Sequence, residues 1–102
     1  DYGAYQTEIA KDAPVIEYYG SGSLAPGTVN VADYVKAHDY NGQELAVKLL
    51  KFCDKDGNEL TDQMDQASGT ITFSSAGMYS FTVKAVDSGN RKTTVVIHVP
   101  VM

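Results

Sequence analysis

Apolar and polar side chains alternate along the last quarter of the chain. Residues 78–86 read MYSFTVKAV and residues 94–101 read TVVIHVPV. This period of two predicts β-strands with one buried face, whose inward positions are Tyr79, Phe81, Val83, Ala85, Val95, Ile97, Val99 and Val101. Between the strands, Asp87 and Asn90 can bond nearby backbone and Gly89 can take a positive φ. The two runs are therefore predicted to form a β-hairpin.

Shorter strand patterns precede this hairpin. GTITF places Ile71 and Phe73 on one face, and residues 13–19, APVIEYY, place Ile16 and Tyr18 on one face. Pro14 suits an edge strand. Residues 20–27 read as a loop, and residues 28–31 as a short strand with valines 29 and 31 inward. Residues 32–39 are compatible with a helical turn or with an irregular continuation of the strand, and the sequence does not decide between them.

The middle of the chain gives two opposing signals. Gln43 to Cys53, QELAVKLLKFC, has the composition of a helix, with Leu45, Leu49 and Phe52 on one helical face. It is bounded, however, by DYNG and DKDGNE, which are turn signals at a spacing typical of short strands. Because the neighbouring strands need partners, we interpret it as a strand. Lys48 and Lys51 have opposite parity, which predicts a β-bulge between them.

Tyr79 begins the penultimate strand two residues after Gly77. This is the setting of a tyrosine corner, in which the phenol hydroxyl bonds backbone a few residues upstream. The alternative is that Tyr79 is a large core residue whose hydroxyl lies at the edge of the core.

The order of these features resembles the bacterial immunoglobulin-like domains that occur in tandem in secreted and cell-wall-anchored proteins. The matching residues are Gly77 and Tyr79, then Ala85 and Asp87, then Gly89 and Asn90, and finally the valine-rich run 95–99. The resemblance covers residues 13 to 101. It implies an all-β, immunoglobulin-like β-sandwich of about seven strands over 13–102, with 1–12 as an N-terminal linker or irregular segment. ELAVKLLKF has fewer β-branched residues than the family pattern.

Composition and charge fit one domain. The chain has 102 residues, and eight basic against thirteen acidic side chains give a formal net charge of -5. The basic residues are scattered along the sequence, so nucleic acid is not expected as a partner. No apolar run approaches the roughly 20 residues of a spanning helix, so direct membrane contact is not expected. The absence of an initiator Met and the ending within a strand pattern suggest a segment of a longer protein.

Candidate chemistry is sparse. Aligning Gly57 with the invariant glycine of an EF-hand puts Phe52 and Gln63 at ligand positions, so DKDGNE is read as a hairpin turn. Convergence of Asp33, Asp39 and Asp87 on calcium is less common than solvated loop carboxylates. His38, His98 and Cys53 lack an orienting third group, and the single cysteine cannot form an intramolecular disulfide. We predict no catalytic residue, no metal and no cofactor.

Tyrosines are the remaining candidates for ligand contact. Seven of the ten aromatic residues are Tyr, and five of these fall outside the core phase: Tyr2, Tyr5, Tyr19, Tyr34 and Tyr40. Exposed tyrosines stack on sugars or anchor proteins, although Tyr also suits half-buried strand surfaces. The expected function is a non-catalytic spacer whose partners are neighbouring domains of a bacterial secreted or cell-surface protein. The alternative is an adhesive or carbohydrate-binding module that contacts a glycan or protein through tyrosines 19, 34 and 40.

Overall fold

The computed structural model describes residues 12–20 and 23–102. The predicted linker 1–12, together with Tyr2 and Tyr5, lies outside these residues except for Asp12. Nine strands are present in the described part of the chain: β1 (Val15–Tyr18), β2 (Gly27–Asn30), β3 (Val35–His38), β4 (Glu44–Leu45), β5 (Lys48–Asp54), β6 (Met64–Asp65), β7 (Thr70–Phe73), β8 (Gly77–Val86) and β9 (Lys92–Val101). The all-β prediction is confirmed. The count exceeds seven because two of the nine strands have only two residues each.

The strands form three antiparallel sheets, ordered β1-β3-β4, β2-β7-β6 and β5-β8-β9. In an immunoglobulin constant-type sandwich, the second strand pairs with the fifth and the fifth with the fourth, while the third, sixth and seventh form the facing sheet. Sheets β2-β7-β6 and β5-β8-β9 have this pairing order. β1, β3 and β4 add a third small sheet. The chain is therefore an all-β sandwich with two sheets in the immunoglobulin order.

The core lies between the sheets and is aromatic at one end. The rings of Phe52, Phe73 and Tyr79 meet with centroid separations of 5.1 to 5.6 Å. Phe73 belongs to β7, whereas the other two belong to β5 and β8, so this cluster joins the two larger sheets. Val99, directly opposite Tyr79, and Val83, further along β8, are fully buried. As predicted, Ile16 and Tyr18 of β1 pack against the same core.

The predicted hairpin is confirmed as strands β8 and β9, paired from Gly77 with Val101 to Val86 with Lys92. Its turn differs from the prediction in one respect. The positive φ falls on Asn90, at 63°, and not on Gly89. The conformation belongs to the fourth residue of the turn beginning at Asp87, and Asn tolerates it better than other side chains.

Gln43 to Cys53 is extended, as predicted, and is divided between β4 and β5. Strand β5 contains the predicted bulge, because its register against β8 shifts between Leu49 and Lys51. The side-chain amide of Gln66 donates to the carbonyl oxygens of Leu49 and Leu50, at 3.2 and 3.3 Å. The helix suggested by composition does not form because Leu49 and Phe52 are buried as strand residues against β8.

For residues 32–39 the structure has the helical turn, one of the two alternatives that the sequence left open, and not an irregular continuation of the preceding strand. A 3-10 helix, Val31–Asp33, is capped by the side chain of Asn30, which accepts from the Ala32 N–H at 2.9 Å. β3 follows, with Val35 and Ala37 buried. The single helical turn lets the chain leave β2 and begin β3 in a different sheet.

Candidate functional site

Tyr19 and Tyr34 lie together, but Tyr40 lies apart from them. The Tyr19 N–H donates to the Tyr34 carbonyl at 2.6 Å, next to the pairing of Tyr18 with Val35. Tyr40 follows the opposite end of β3, beyond His38. The length of β3 therefore separates Tyr40 from the other two candidate ligand contacts. Tyr19 and Tyr40 are 59% and 53% exposed, whereas Tyr34 packs partly against the core.

The end of β1 is also shaped by Tyr18. Its ring contacts Phe81 edge-on at 6.4 Å, and its hydroxyl lies so close to Gly20 that a Cβ there would overlap it. Burial raises the pKa of Tyr18, and the nearby Tyr34 raises it further. Gly20 thus allows the backbone to pass close to the Tyr18 ring, which packs against the core.

Tyr40 contacts a charged group from a neighbouring hairpin turn. The Arg91 guanidinium lies over its ring, 4.8 Å from the centroid, which is within the range of a cation–π interaction. Arg91 Nε also donates to Asp87 Oδ2 at 2.7 Å. Tyr40 therefore covers an ion pair and joins the β3–β4 turn to the β8–β9 turn.

Three hairpin turns share one hydrogen-bonding pattern. In each, an aspartate Oδ1 accepts from the backbone N–H groups two and four residues later, at 2.8 to 3.0 Å. The turns are DYNGQ from Asp39, DKDGN from Asp54 and DSGNR from Asp87. Their fourth residues, Gly42, Gly57 and Asn90, have φ values of 86°, 85° and 63°. The hairpin turn predicted for DKDGNE is confirmed, and the repeated spacing was a signal for Asn90 that the sequence analysis missed.

The pKa values of two of these aspartates reflect the pattern. Burial alone would raise the pKa of Asp87, but hydrogen bonds from the side chain and backbone of Arg91, together with its charge, outweigh burial and lower it. The pKa of Asp54 is lowered chiefly by the Asn58 side chain. Asp39 and Asp87 are committed to their own turns, and exposed Asp33 lies on the 3-10 helix after β2. Within residues 12–20 and 23–102, no three His, Cys, Asp or Glu side chains are grouped as metal ligands.

Cys53 and His98 occupy one row of the β5-β8-β9 sheet, with Ser80 of β8 between them. Neighbouring strands are about 4.8 Å apart, so the outer two are separated by about 10 Å. This distance is too long for a hydrogen bond between thiol and imidazole. His38 lies on β3, with Nδ1 3.9 Å from Glu17. The structure therefore does not pair Cys53 with either histidine.

Four lysines gather on the outer face of the β5-β8-β9 sheet. Lys48 pairs directly with Lys84, Lys51 pairs with Thr82, and Lys92 pairs with Val86. Residues directly opposite in a sheet share a face, and the even-numbered residues of β8 face outward because the odd-numbered ones are buried. We call this group the lysine stripe (residues 48, 51, 84 and 92). The basic residues are scattered along the sequence, but tertiary pairing brings four of the eight together on one sheet face.

The bulge at Leu50 creates part of the lysine stripe. Lys48 and Lys51 are three residues apart, and in a regular strand they would face opposite sides. The extra residue restores them to the same side, as their outward partners Lys84 and Thr82 show. Beside the bulge lies a cleft of about 380 Å³, lined by residues that include Lys48, Gln66 and Ser68. The stripe thus has a recess at its edge.

The fold and the surface together define an all-β sandwich module with a basic outer sheet face. None of the family models, curated proteins or solved structures compared with the chain matches it. Among the residues that the structure describes, no helix has the length and apolar character needed to cross a membrane.

Proposed function

We propose that this domain is a non-catalytic structural module that spaces or presents neighbouring domains of a larger bacterial secreted or cell-surface protein. The observation that carries the proposal is a parallel bridge between Leu24 and Val101. The Leu24 N–H donates to the Pro100 carbonyl, and the Met102 N–H donates to the Leu24 carbonyl, both at 2.9 Å. The segment before β2 is thereby fastened to the last strand.

The parallel direction of this bridge suits a module under tension. When two parallel segments are pulled, one toward the N-terminus and the other toward the C-terminus, they slide past each other. Both hydrogen bonds of the bridge then carry the load together. The three aspartate-capped turns and the aromatic cluster support the same role, because they fix hairpins and sheets without leaving these side chains free for chemistry.

Single-molecule pulling tests the spacer proposal. The domain is placed between reference domains of known unfolding force, and Met102→Pro is compared with Met102→Ala. Met102 is 80% exposed, so the alanine variant should unfold at an unchanged force. Proline removes the donor to Leu24 and should lower the unfolding force, because forced unfolding depends on the unfolding barrier. Equal forces for the two variants, or unfolding of the parent at negligible force, would contradict the proposal.

The alternative function is an adhesive or carbohydrate-binding module, and the exposure of Tyr19 favours it. Tyr19 is 59% exposed, and its hydroxyl donates to the exposed Glu17 at 2.8 Å. A sugar stacked there would contact Tyr19 and Tyr34 but not Tyr40. A glycan array compares the parent with Tyr19→Ala, and with Tyr40→Ala as the control. Saturable glycan binding that is abolished by Tyr19→Ala but not by Tyr40→Ala would support this function over the spacer function.

A further inference from the structure

The lysine stripe crosses its sheet diagonally. Lys51 and Lys48 lie on β5, Lys84 on the central strand β8, and Lys92 on β9. Successive outward residues are about 6.7 Å apart along a strand, and strands are about 4.8 Å apart. Neighbouring lysines of the stripe therefore begin about 5 to 8 Å apart, and the whole stripe spans about 16 Å. A stripe of this length and shape fits an extended polymer chain.

The positive charges of the stripe are not neutralised within the described protein. Lys48 and Lys84 are direct cross-strand partners, an arrangement that is destabilising for like charges. The ion pairs within residues 12–20 and 23–102 involve His38 with Glu17 and Arg91 with Asp87, and none involves the stripe. The acidic residue Glu59 lies at the edge of this sheet, where it forms a β-bridge with Cys53.

The charge of the stripe contrasts with the rest of the chain. Apart from the stripe, the sequence has four basic and thirteen acidic residues. A polyanion is therefore repelled by most of the surface and attracted to one face, which favours a thin linear polymer over a broad anionic surface. A sheet face rich in Lys also blocks edge-to-edge aggregation, but Lys84 is on the central strand, where no edge needs protection.

The side chains of this face indicate which anion suits it. Besides the lysines, the outward positions of the three strands carry hydroxyl, aliphatic and sulfur side chains and His98, with no Arg and no Phe, Tyr or Trp. Lysine is a common phosphate ligand that acts as a point charge and does not need the fork geometry with which arginine binds phosphate and carboxylate groups. Nucleic-acid strands are held by stacking on aromatic rings, which this face lacks.

We propose that the lysine stripe binds a linear polymer whose charges are phosphate groups and which lies diagonally across β5, β8 and β9. Lys48 and Lys84 together hold one phosphate, and this relieves their mutual repulsion. Lys51 and Lys92 hold the neighbouring phosphates on either side. The hydroxyls of Thr82 and Thr94, in the same rows as Lys51 and Lys84, supply hydrogen bonds to the polymer.

The test uses fluorescently labelled poly(glycerol phosphate), titrated with the full chain at several salt concentrations. Four phosphate contacts predict a log–log slope of affinity against salt of about -3, from roughly 0.7 counterions released per contact on a single strand. The double variant K48Q/K84Q should bind at least tenfold more weakly and reduce the slope by about 1 to 2. K48R/K84R should retain binding because it keeps the charge.

The matched control is K36Q, compared with the single variant K84Q: each removes one positive charge, and Lys36 is exposed on β3, in a different sheet from the stripe. Urea unfolding confirms that each variant is folded. Equal loss of binding in K36Q and K84Q overturns the proposal, as does no binding at low salt. Tighter binding of single-stranded DNA, or of an acidic protein, than of poly(glycerol phosphate) also overturns it.

Discussion

The hydroxyl of Tyr79 donates a 2.8 Å hydrogen bond to the carbonyl oxygen of Ser75, four residues upstream. The ring of the same residue stacks on Phe52 and contacts Phe73. One side chain therefore fills the core between the sheets and also fastens the β7–β8 loop, which passes from one sheet to the other. This is the backbone contact that the Gly77 and Tyr79 spacing predicts.

Tyr79→Phe should lower the free energy of unfolding by about 1 kcal/mol. The change keeps the ring and its packing but leaves the Ser75 carbonyl without its partner, which costs about 1 to 3 kcal/mol when the group is buried. The lower end is expected because Ser75 is exposed and water can replace part of the bond. Urea unfolding with an unchanged m-value measures the difference.

Tyr19→Phe is the matched control for this experiment, since it removes a hydroxyl whose partner, Glu17, is exposed. Its effect should stay within about 0.5 kcal/mol, as for other surface substitutions. Similar decreases in the free energy of unfolding of the two variants would show that the Tyr79 hydrogen bond stabilises the protein no more than an exposed one.

Lys84→Gln should stabilise the protein by about 0.3 kcal/mol at low salt. It removes one of two like charges that lie directly opposite each other, and cross-strand charge pairs contribute about 0.2 to 1 kcal/mol. Lys36→Gln should have the opposite sign, because Lys36 opposes Glu17. Both effects should shrink in about 1 M salt, where the Debye length is only about 3 Å. Destabilisation by Lys84→Gln under both conditions would refute the repulsion.

Asn90→Gly should keep or raise stability, whereas Asn90→Ala should cost about 1 kcal/mol. The φ of 63° at this position is unstrained for Gly, tolerated by Asn, and unfavourable by about 1 to 2 kcal/mol for other residues. Ser88→Ala, in the same turn, is the control and should be nearly neutral. Thermal and urea unfolding distinguish the three variants. An Asn90→Ala protein as stable as the parent would contradict the assigned turn.

Stability should fall as the pH drops below about 4, partly through Asp87. Its folded-state pKa is lowered, so in acid the unfolded chain takes up a proton first. The stability from this carboxylate is fully present above the unfolded pKa of about 3.9 and is lost as the pH falls through the folded pKa.

Asp87→Asn keeps a side-chain acceptor but removes this charge, so its free energy of unfolding should differ less between pH 7 and pH 3. Asp33→Asn, on the exposed 3-10 helix, should retain the parent's pH dependence. If the Asp87 variant were to show the parent's full pH dependence, Asp87 would have no part in the acid sensitivity.

Several elements followed from the sequence because their cause is local. Alternation with a period of two fixes which side chains of a strand share a face, and this was sufficient for β7, β8 and β9 and for their buried residues. Opposite parity of Lys48 and Lys51 likewise indicated the bulge. The sequence analysis placed the positive φ on Gly89 because glycine favours it. The position within the turn, however, determines which residue has the positive φ, and that residue is Asn90.

The sequence by itself thus determined the β8–β9 hairpin, the inward faces of β7, β8 and β9, and the extended conformation of β5. It left β3 undecided and did not indicate β6. The tertiary structure decided which strands are neighbours, and so which surface residues meet. Lys48 and Lys84 are 36 residues apart and face each other only because burial of Leu49, Phe52, Phe81 and Val83 sets the register of β5 against β8. Tyr40 meets Arg91 because two turns end at the same edge of the sandwich. Pairing between strands that are distant in sequence depends on the packing of the whole core, so it cannot be deduced from a local sequence pattern.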